Sequence, residues 1–548
     1  LKLFGNTESD TELNKDKRIN RVLLILSGIL FGISFPPFPF PITLLIFFFL
    51  IPYLFVIQKK SSLLEINRSS YLMFITLSLI TLYWVGSWQS KADPFLMIGG
   101  GVLIFFYPTV LLIISSLYYL TRKFLGSNIS LWLLPIHWVT VEYLLTLTDL
   151  KFPWLTLGHS LAKFTAFIQI ADIIGSYGLS LIILYINLLL FKAAENLKSD
   201  IKRAIRFSTI SVLIFCSVIF YGFNKIEHSK NEKTIKVGIV QPNLDPWDKW
   251  QTGVLNDLLN QYFELSDKCI EKGSKFIIWP ETALPVYLLS AEYSYLTDSV
   301  YSYVRKNKIH LLTGMPDFQV YYNNPPDDAK YSKTGDYFFS TYNSILLFNP
   351  NSSEIQKYGK MQLVPLGEKV PFVESLPFLA EFFKWNVGIS SWNTGIDTTI
   401  FKVATDNDTI NLAGLVCFES VFPDFVTHFA KKGAQFITVV TNDSWYGNSS
   451  GPYQHKEFAA LRAVENRKSV VRCANGGISC MINKLGITEF ETQMFTRTSF
   501  VVDVPLNEEI TFYTKYPLII PILSSAFSLW ILGINILLWL KRKFKLEE

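Results

Sequence analysis

The chain has 548 residues, half of them hydrophobic, with 45 phenylalanines and 26 tyrosines. That is long enough for several domains and too apolar for a single water-soluble core, so the excess must face lipid or lie inside a helical bundle. The formal charge of +5 does not describe a nucleic-acid-binding face, because the lysines and arginines fall in short bursts between apolar stretches, a topology signal.

Apolar runs dominate from Arg21 to Asn224. Crossing the roughly 30 Å hydrocarbon core takes about 20 mostly apolar residues. The pattern predicts spans near 20–35, 41–57, 71–89, 95–121, 128–147, 170–193 and 206–224, with an eighth at 515–540. "FPPFPFP" separates the first two, and its prolines force a tight turn or a re-entrant hairpin. No small-residue cleavage site follows the first span, so it reads as a span and not as a signal peptide.

Lys15, Lys17, Arg18 and Arg21, then Lys59, Lys60 and Arg68, then Arg122 and Lys123, then Lys198, Lys202, Arg203 and Arg206 all fall on one side of these spans. The opposite loops carry chiefly Lys91, Lys151 and Lys163, and the tail "KRKFK" returns to the basic side. The positive-inside rule then predicts cytoplasmic termini and an extracytoplasmic central region, which makes ATP and NAD unexpected cosubstrates. Three zones follow: a bundle of seven spans over 1–224, a mixed globular domain over 225–514 in a periplasm or its equivalent, and a final helix with a basic tail over 515–548.

In the central region "TIKVGIVQ", "KFIIWPE", "HLLTGMPD", "YNSILLF", "NLAGLVCFE", "FITVVTND" and "SVVRCANGG" read as strands buried on both faces. "VLNDLLNQYFELSDKCIEKG" and "EFAALRAVENR" read as covering helices. The pattern predicts a layered α/β sandwich. Five cysteines are present; Cys216 falls in a predicted span and Cys269, Cys417, Cys473 and Cys480 in the external domain, where disulfides are permitted. Cys473 and Cys480 read as packing residues. Taken alone, Cys417 is open to three readings: packing, a disulfide half or a nucleophile.

Three strand ends deliver reactive side chains to loops: "IIWPETALP" gives Glu281, "KYGKMQLVPLGE" gives Lys360 and "GLVCFES" gives Cys417. In that order they resemble the Glu-Lys-Cys triad of the nitrilase superfamily. With seven spans before and one after, the whole chain is similar to the apolipoprotein N-acyltransferases. The resemblance extends through "YGKMQLVPLGEKVPF", "TNDSWYG", "GPYQH" and "RCANGGIS".

The resemblance implies an α-helical transmembrane bundle of about eight spans carrying a nitrilase-like αββα sandwich in the periplasm, in a bacterial inner membrane. It implies that Cys417 takes an acyl chain from a phospholipid, with phosphatidylethanolamine as the expected donor, and passes it to the α-amine of a diacylated apolipoprotein. Glu281 would be the general base and Lys360 the ammonium that steadies thiolate and oxyanion, aided by backbone N–H groups near Phe418. Supporting roles fall to Glu368, Glu419 and Asn343. Trp250 and the loop Phe372 to Thr394, with "FLAEFFKW", resemble a lipid-handling rim. The segment after Val416, "ESVFPDFVTHFAKKG", would form a helix that places Cys417 in a strand-to-helix elbow.

Some positions depart from the family pattern: Gln362 stands where histidine is frequent, Phe418 where tyrosine is common, and Leu366 where phenylalanine is usual. Six scattered histidines give no HExxH or paired CxxC spacing, and no phosphate-binding glycine motif opens a helix. Catalysis by side chains alone is expected, without metal or cofactor. Two other readings share the sequence: a membrane-tethered amidase that hydrolyses a small amide, and a transporter or receptor with a ligand-binding external domain.

Overall fold

The computed structural model describes residues 7–228, 233–249, 255–332, 335–369, 371–372, 392–405 and 408–545. The bundle opens with α1 (Thr7–Gly32) and continues through a 3-10 turn (Ile42–Phe47) into α2 (Leu50–Ile57) and α3 (Leu63–Thr81). Next come α4 (Pro94–Leu125), α5 (Ser127–Leu147), the single turn α6 (Thr165–Ile168), α7 (Ala171–Asn196) and α8 (Ile201–Glu227).

Among the described residues, five helices are long and apolar enough to cross a membrane: Leu96–Leu125, Ser127–Leu147, Ala171–Asn196, Ile201–Glu227 and Ile519–Phe544. The three other predicted spans fall on α1, on the broken stretch from Ile42 to Ile57, and on α3. The predicted start of the third span near 71 moves back to Leu63. There Ser62 and Glu65 form a reciprocal capping box that fixes the helix origin well before the apolar run.

α7 is interrupted at Gly175, whose φ is +62°. A Cβ there would lie 2.1 Å from the Tyr513 ring, so only glycine lets the helix pass.

The region after α8 is built on two sheets. The first has strand order β13 (Thr498–Pro505), β1, β2, β3, β5, β4 (Lys330–Ser332) with β6 paired to β5, and the second β12 (Thr488–Glu491), β11 (Cys480–Ile482), β10, β9, β8, β7 (Ile400–Ala404). The strands that position the site are β1 (Thr234–Gln241), β2 (Phe276–Trp279), β3 (His310–Tyr321), β5 (Tyr337–Phe348) and β6 (Gln356–Gly359) in the first sheet. In the second they are β8 (Thr409–Val416), β9 (Phe436–Thr441) and β10 (Ser469–Ala474). All seven predicted strands are present. β1, β2 and β3 run parallel, as do β8, β9 and β10.

Inward residues such as Ile239, Ile278, Ile345, Leu412 and Val439 form one buried cluster between the sheets. α9 (Leu255–Glu271) and α10 (Ser294–Asn307) cover the outer face of the first sheet through Leu258, Tyr262, Val300 and Trp279. α11 (Pro423–Lys431) and α12 (Ser450–Asn466) cover the second, completing an αββα sandwich. α12 also packs against α7, so this outer layer is shared with the bundle. After α13 (Phe512–Lys515), α14 (Ile519–Lys545) returns along α5 and α4.

One end of the bundle gathers the basic loops. Arg122 donates to the Ile57, Gln58 and Lys60 carbonyls at 2.8 to 3.1 Å, and the Arg542 guanidinium lies over the Phe124 ring at 5.2 Å.

Candidate active site

Each candidate residue sits just past a strand end. β2 is four buried residues long and stops at Pro280, which cannot extend a ladder; Glu281 follows. Lys360 follows β6, and its N–H donates to the Asn343 carbonyl on neighbouring β5 at 2.9 Å. Cys417 follows β8 with φ of +50°, in the left-handed region.

The expected elbow is there, but its geometry differs: a 3-10 turn over Cys417–Val421 intervenes, and the α-helix starts only at Pro423. Proline at the first helical position and Gly433 beyond the end, with φ of +94°, set the helix limits. Cys417 is therefore not at an α-helix N-terminus.

Glu281, Lys360, Asn343, Glu368 and Cys417 line one cavity of about 160 Å³. Asn343 Nδ2 donates to Glu281 Oε1 at 2.8 Å and to Glu368 Oε1 at 3.0 Å. Lys360 Nζ donates to Glu368 at 2.8 Å and lies 3.9 Å from Glu281. Glu368 is itself fixed by the Val364 N–H at 2.9 Å.

Burial lowers the Lys360 pKa, but Glu368 and Glu281 outweigh it, so the group is held above its ordinary range and stays an ammonium. Burial raises Glu281, against Lys360. Burial, then Glu281, push the Cys417 thiol well up, with Lys360 opposing; the thiol is protonated at rest.

Glu419 is fully buried and touches the machinery only through the backbone. Its Oε1 accepts from Tyr358 OH at 2.7 Å, Met361 N at 2.7 Å and Gln362 N at 3.1 Å, and its Oε2 from Val416 N at 2.8 Å. It ties the loop after Lys360 to the strand before Cys417. Phe418 stacks on Phe152 and Trp154 at ring distances of 6.2 and 6.3 Å. Trp250 and residues 373–391 of the rim loop, "FLAEFFKW" included, lie outside the described residues.

Two groups escaped the sequence reading. Asp443, His455 and Arg472 form a buried chain. His455 Nδ1 meets Asp443 Oδ1 at 2.8 Å and Arg472 Nη2 meets Asp443 Oδ2 at 2.6 Å. Burial and Arg472 hold His455 low against Asp443; its Nδ1 faces Asp443, and its Nε2 lies 2.9 Å from the Ser420 hydroxyl and 3.0 Å from the Cys417 carbonyl. Cys417, Asp443 and His455 offer possible metal-ligand atoms within 4.8 Å of one another. Here Asp443 and both imidazole nitrogens are already committed to protein partners. The signal was present, since each of the three lies in a segment that carried the resemblance. The second group is Lys249, in "WDKW", which lines the same cavity and donates to the Thr282 carbonyl. Burial pulls it down to about 7, against Glu281.

Cys417 also borders a second cavity of about 560 Å³, walled by α4 residues such as Leu103 and Phe106, α5 residues such as Val141 and Leu144, and Phe418. The thiol thus stands where an apolar chamber between membrane helices meets a polar chamber holding an acid and an ammonium. All five cysteines are free, which removes the disulfide reading.

Fold and site together define a membrane-embedded enzyme with a carbon-nitrogen hydrolase-type catalytic region. Residues 236–512 match the carbon-nitrogen hydrolase family, and residues 27–189 match the apolipoprotein N-acyltransferase N-terminal domain. The apolipoprotein N-acyltransferase of Chlorobaculum tepidum is 32% identical over 91% of this chain and 93% of its own. That of Geobacter metallireducens is 29% identical over 91% and 92%, and that of Rickettsia typhi 28% over 85% and 88%. An amidase structure from Nesterenkonia sp. is 17% identical, with a TM-score of 0.34, and covers 50% of this chain and 92% of its own. The chain belongs to the apolipoprotein N-acyltransferase family.

Proposed function

We propose that Cys417 carries the acyl group in a two-step transfer through a thioester. The protein is an integral membrane acyltransferase of lipoprotein maturation, with a phospholipid donor and a lipoprotein acceptor. The observation that carries the thioester reading is that Cys417 borders both the apolar and the polar chamber. A fatty chain fits the first, and proton transfer belongs to the second.

The thiol is protonated at rest, so its proton must leave as it attacks. Glu281 takes that proton while the sulfur adds to the donor ester carbonyl. The Lys360 ammonium faces the developing oxyanion, already oriented by Glu368 and needing no reorganisation. Collapse expels the lysophospholipid alkoxide, which takes the proton back from Glu281. The α-amine of the diacylglyceryl-cysteine then attacks the thioester, Glu281 accepts its proton and returns it to the departing sulfur, and the thiol is restored.

Phosphatidylethanolamine is the donor expected from the resemblance. The gathering of basic loops at one end of the bundle supports cytoplasmic termini, and with them a periplasmic catalytic domain over 225–514.

Incubating purified protein with phosphatidylethanolamine labelled in its acyl chain should leave a hydroxylamine-sensitive label on the wild type and none on Cys417→Ala. Adding a diacylated lipopeptide should move the label to the peptide. Label on Cys417→Ala would show that another group is acylated, and release of free fatty acid in place of peptide acylation would point to hydrolysis.

A further inference from the structure

Tyr446, in "TNDSWYG", has no part in the transfer described above, yet it stands beside the reacting sulfur. Five residues line both chambers: Leu96, Val364, Gly367, Cys417 and Tyr446. They form the mouth between the two, and an acyl carbon bonded to the Cys417 sulfur has to lie there. Its carbonyl oxygen gains negative charge in each step and needs a donor at that place. The backbone N–H groups of three of the five are spent. Leu96 donates to the Asp93 carbonyl at 2.9 Å, Val364 to Glu368 Oε2 at 2.9 Å and Gly367 to the Val364 carbonyl at 3.2 Å. Tyr446 brings a hydroxyl, which has no hydrogen-bond partner among the described residues.

The ring is held from sandwich and bundle alike. It ends a 3-10 turn over Asp443–Tyr446 that follows β9, and the first residue of that turn is fixed by His455 and Arg472. From the stretch between α3 and α4, Gln89 Nε2 donates to the Trp445 carbonyl at 2.9 Å. The Trp84 indole meets the Tyr446 ring edge to face at 4.7 Å and is itself anchored by its N–H on Gln454 Oε1 at 3.1 Å. Burial, then Cys417, Asp443 and Glu368, raise the pKa of the hydroxyl against Lys360, so it keeps its proton and is available to donate.

We propose that Tyr446 is a second electrophilic catalyst beside Lys360, its hydroxyl donating to the carbonyl oxygen of the acyl group at Cys417 and to the oxyanion formed from it in both steps. This rests on the reading of Cys417 as the acylated residue. Lys360 lines the polar chamber and not the apolar one, whereas Tyr446 lines both, so the two donors flank the oxygen from different sides. A hydrogen bond to this oxygen strengthens as its charge grows, so the hydroxyl acts on kcat more than on KM.

Tyr446→Phe removes the oxygen and keeps the ring. Transfer from phosphatidylethanolamine to a diacylated lipopeptide should lose about 10²-fold in kcat, with KM for the phospholipid within about twofold of wild type. The acyl carbonyl itself supplies a readout that a packing role would not move. In acyl-enzyme formed without acceptor, from phospholipid carrying carbon-13 at the acyl carbonyl, the infrared carbonyl band should lie at higher wavenumber in Tyr446→Phe, because a donor is lost. A ring-fluorinated tyrosine incorporated in place of Tyr446 is a stronger donor of nearly the same shape and should move the band to lower wavenumber. A kcat for Tyr446→Phe within about twofold of wild type would overturn the proposal. So would a band at one wavenumber in all three proteins, whatever the loss of rate. If Tyr446→Phe fails to fold, the fluorinated protein decides between a shifted and an unshifted band. A wild type that forms no hydroxylamine-sensitive acyl-enzyme would overturn the Cys417 reading, and the role of Tyr446 with it.

Discussion

At Cys417 the backbone is held in a conformation that a non-glycine residue adopts only under constraint. Its carbonyl accepts the Ser420 hydroxyl at 2.9 Å, and Glu419 fixes the preceding N–H at 2.8 Å, so local bonds supply the constraint. Lys249 stores a different kind of strain, a cation buried beside the candidate base. Its pKa is about 7 in the folded protein, against about 10.4 for an unperturbed lysine. Between those values the unfolded chain binds the extra proton, so stability should rise with pH through this window. Below the folded value both states carry the proton, and the folded state bears the whole penalty of burying it. Lys249→Met removes that penalty. In detergent its thermal midpoint should exceed that of the wild type near pH 6, with the gap narrowing toward pH 10; a gap independent of pH would refute the assignment. Glu281 and Cys417 stand out in the sequence because each closes an apolar run at a strand end, and Lys360 because of the segment that carries the resemblance. Asp443, His455 and Arg472 lie in segments that carry the resemblance, but the sequence does not show that Asp443 meets side chains 12 and 29 residues away; Lys249, in a polar segment, looks like surface until the fold buries it. Nor could the spacing reveal that Glu419 reaches Tyr358 and Met361, 61 and 58 residues away along the chain.

At the level of elements, the position of Lys360 depends on a strand of only four residues, β6. β6 pairs with β5 on one side, while beyond it Gly395 N donates to the Lys360 carbonyl at 2.8 Å. A Cβ on Gly395 would come within 1.9 Å of the Gly359 carbonyl oxygen, so the segment after Trp392 can lie this close only because position 395 is glycine. Gly395→Ala should push that segment off β6, shift Lys360 and lower kcat by about 10²-fold, the scale of a 1 Å misplacement. The same variant should retain most of its thermal stability, which would separate misplacement from unfolding; activity within twofold of wild type would show that the contact is dispensable. The strands missed by the sequence reading include β6 and other short or edge strands, β4 (Lys330–Ser332), β7 (Ile400–Ala404), β11 (Cys480–Ile482), β12 (Thr488–Glu491) and β13 (Thr498–Pro505). Most are partly exposed and lack a continuous apolar run; β11, though buried, is only three residues long. The predicted span at 41–57 is a broken stretch, a 3-10 turn over Ile42–Phe47 followed by α2. Its residues are apolar because they fill the bundle core, with Phe49, Leu50 and Leu54 fully buried, and a broken helix serves that purpose as well as a continuous one.

For the whole molecule, the site works only if the sandwich is docked on the bundle, because the apolar chamber is walled by α4 and α5 while Cys417 follows β8. The division into membrane and soluble parts was readable from composition, but the docking surface was not, since its partners lie roughly 300 residues apart. It is partly ionic. Arg467, at the end of α12, reaches Asp172 at 2.7 Å and Gln169 Oε1 at 2.6 Å, and Tyr221 donates to the same aspartate at 2.8 Å. Nearby, Arg462 pairs with Glu465 at 2.8 Å, and Glu465 accepts from the Ser176 N–H at 2.9 Å beside the α7 break. The side chains of Arg467 and Asp172 are only 3% and 5% exposed; Asp172 also meets Lys225 at 3.5 Å, so it is removal of the aspartate that strands the buried arginine. Breaking a buried pair in this way costs about 3–5 kcal/mol, whereas replacing both partners with apolar groups is often close to neutral. Asp172→Asn should therefore lower the thermal midpoint sharply and the acyl-enzyme yield with it. Asp172→Leu combined with Arg467→Met should lose less stability than Asp172→Leu alone, because no charge remains buried without a partner. If the double variant recovers its midpoint but not its acylation, the ion pair sets the register of sandwich on bundle. If Asp172→Asn melts with the wild type, the pair contributes nothing to docking and the apolar contacts of α12 with α7 suffice.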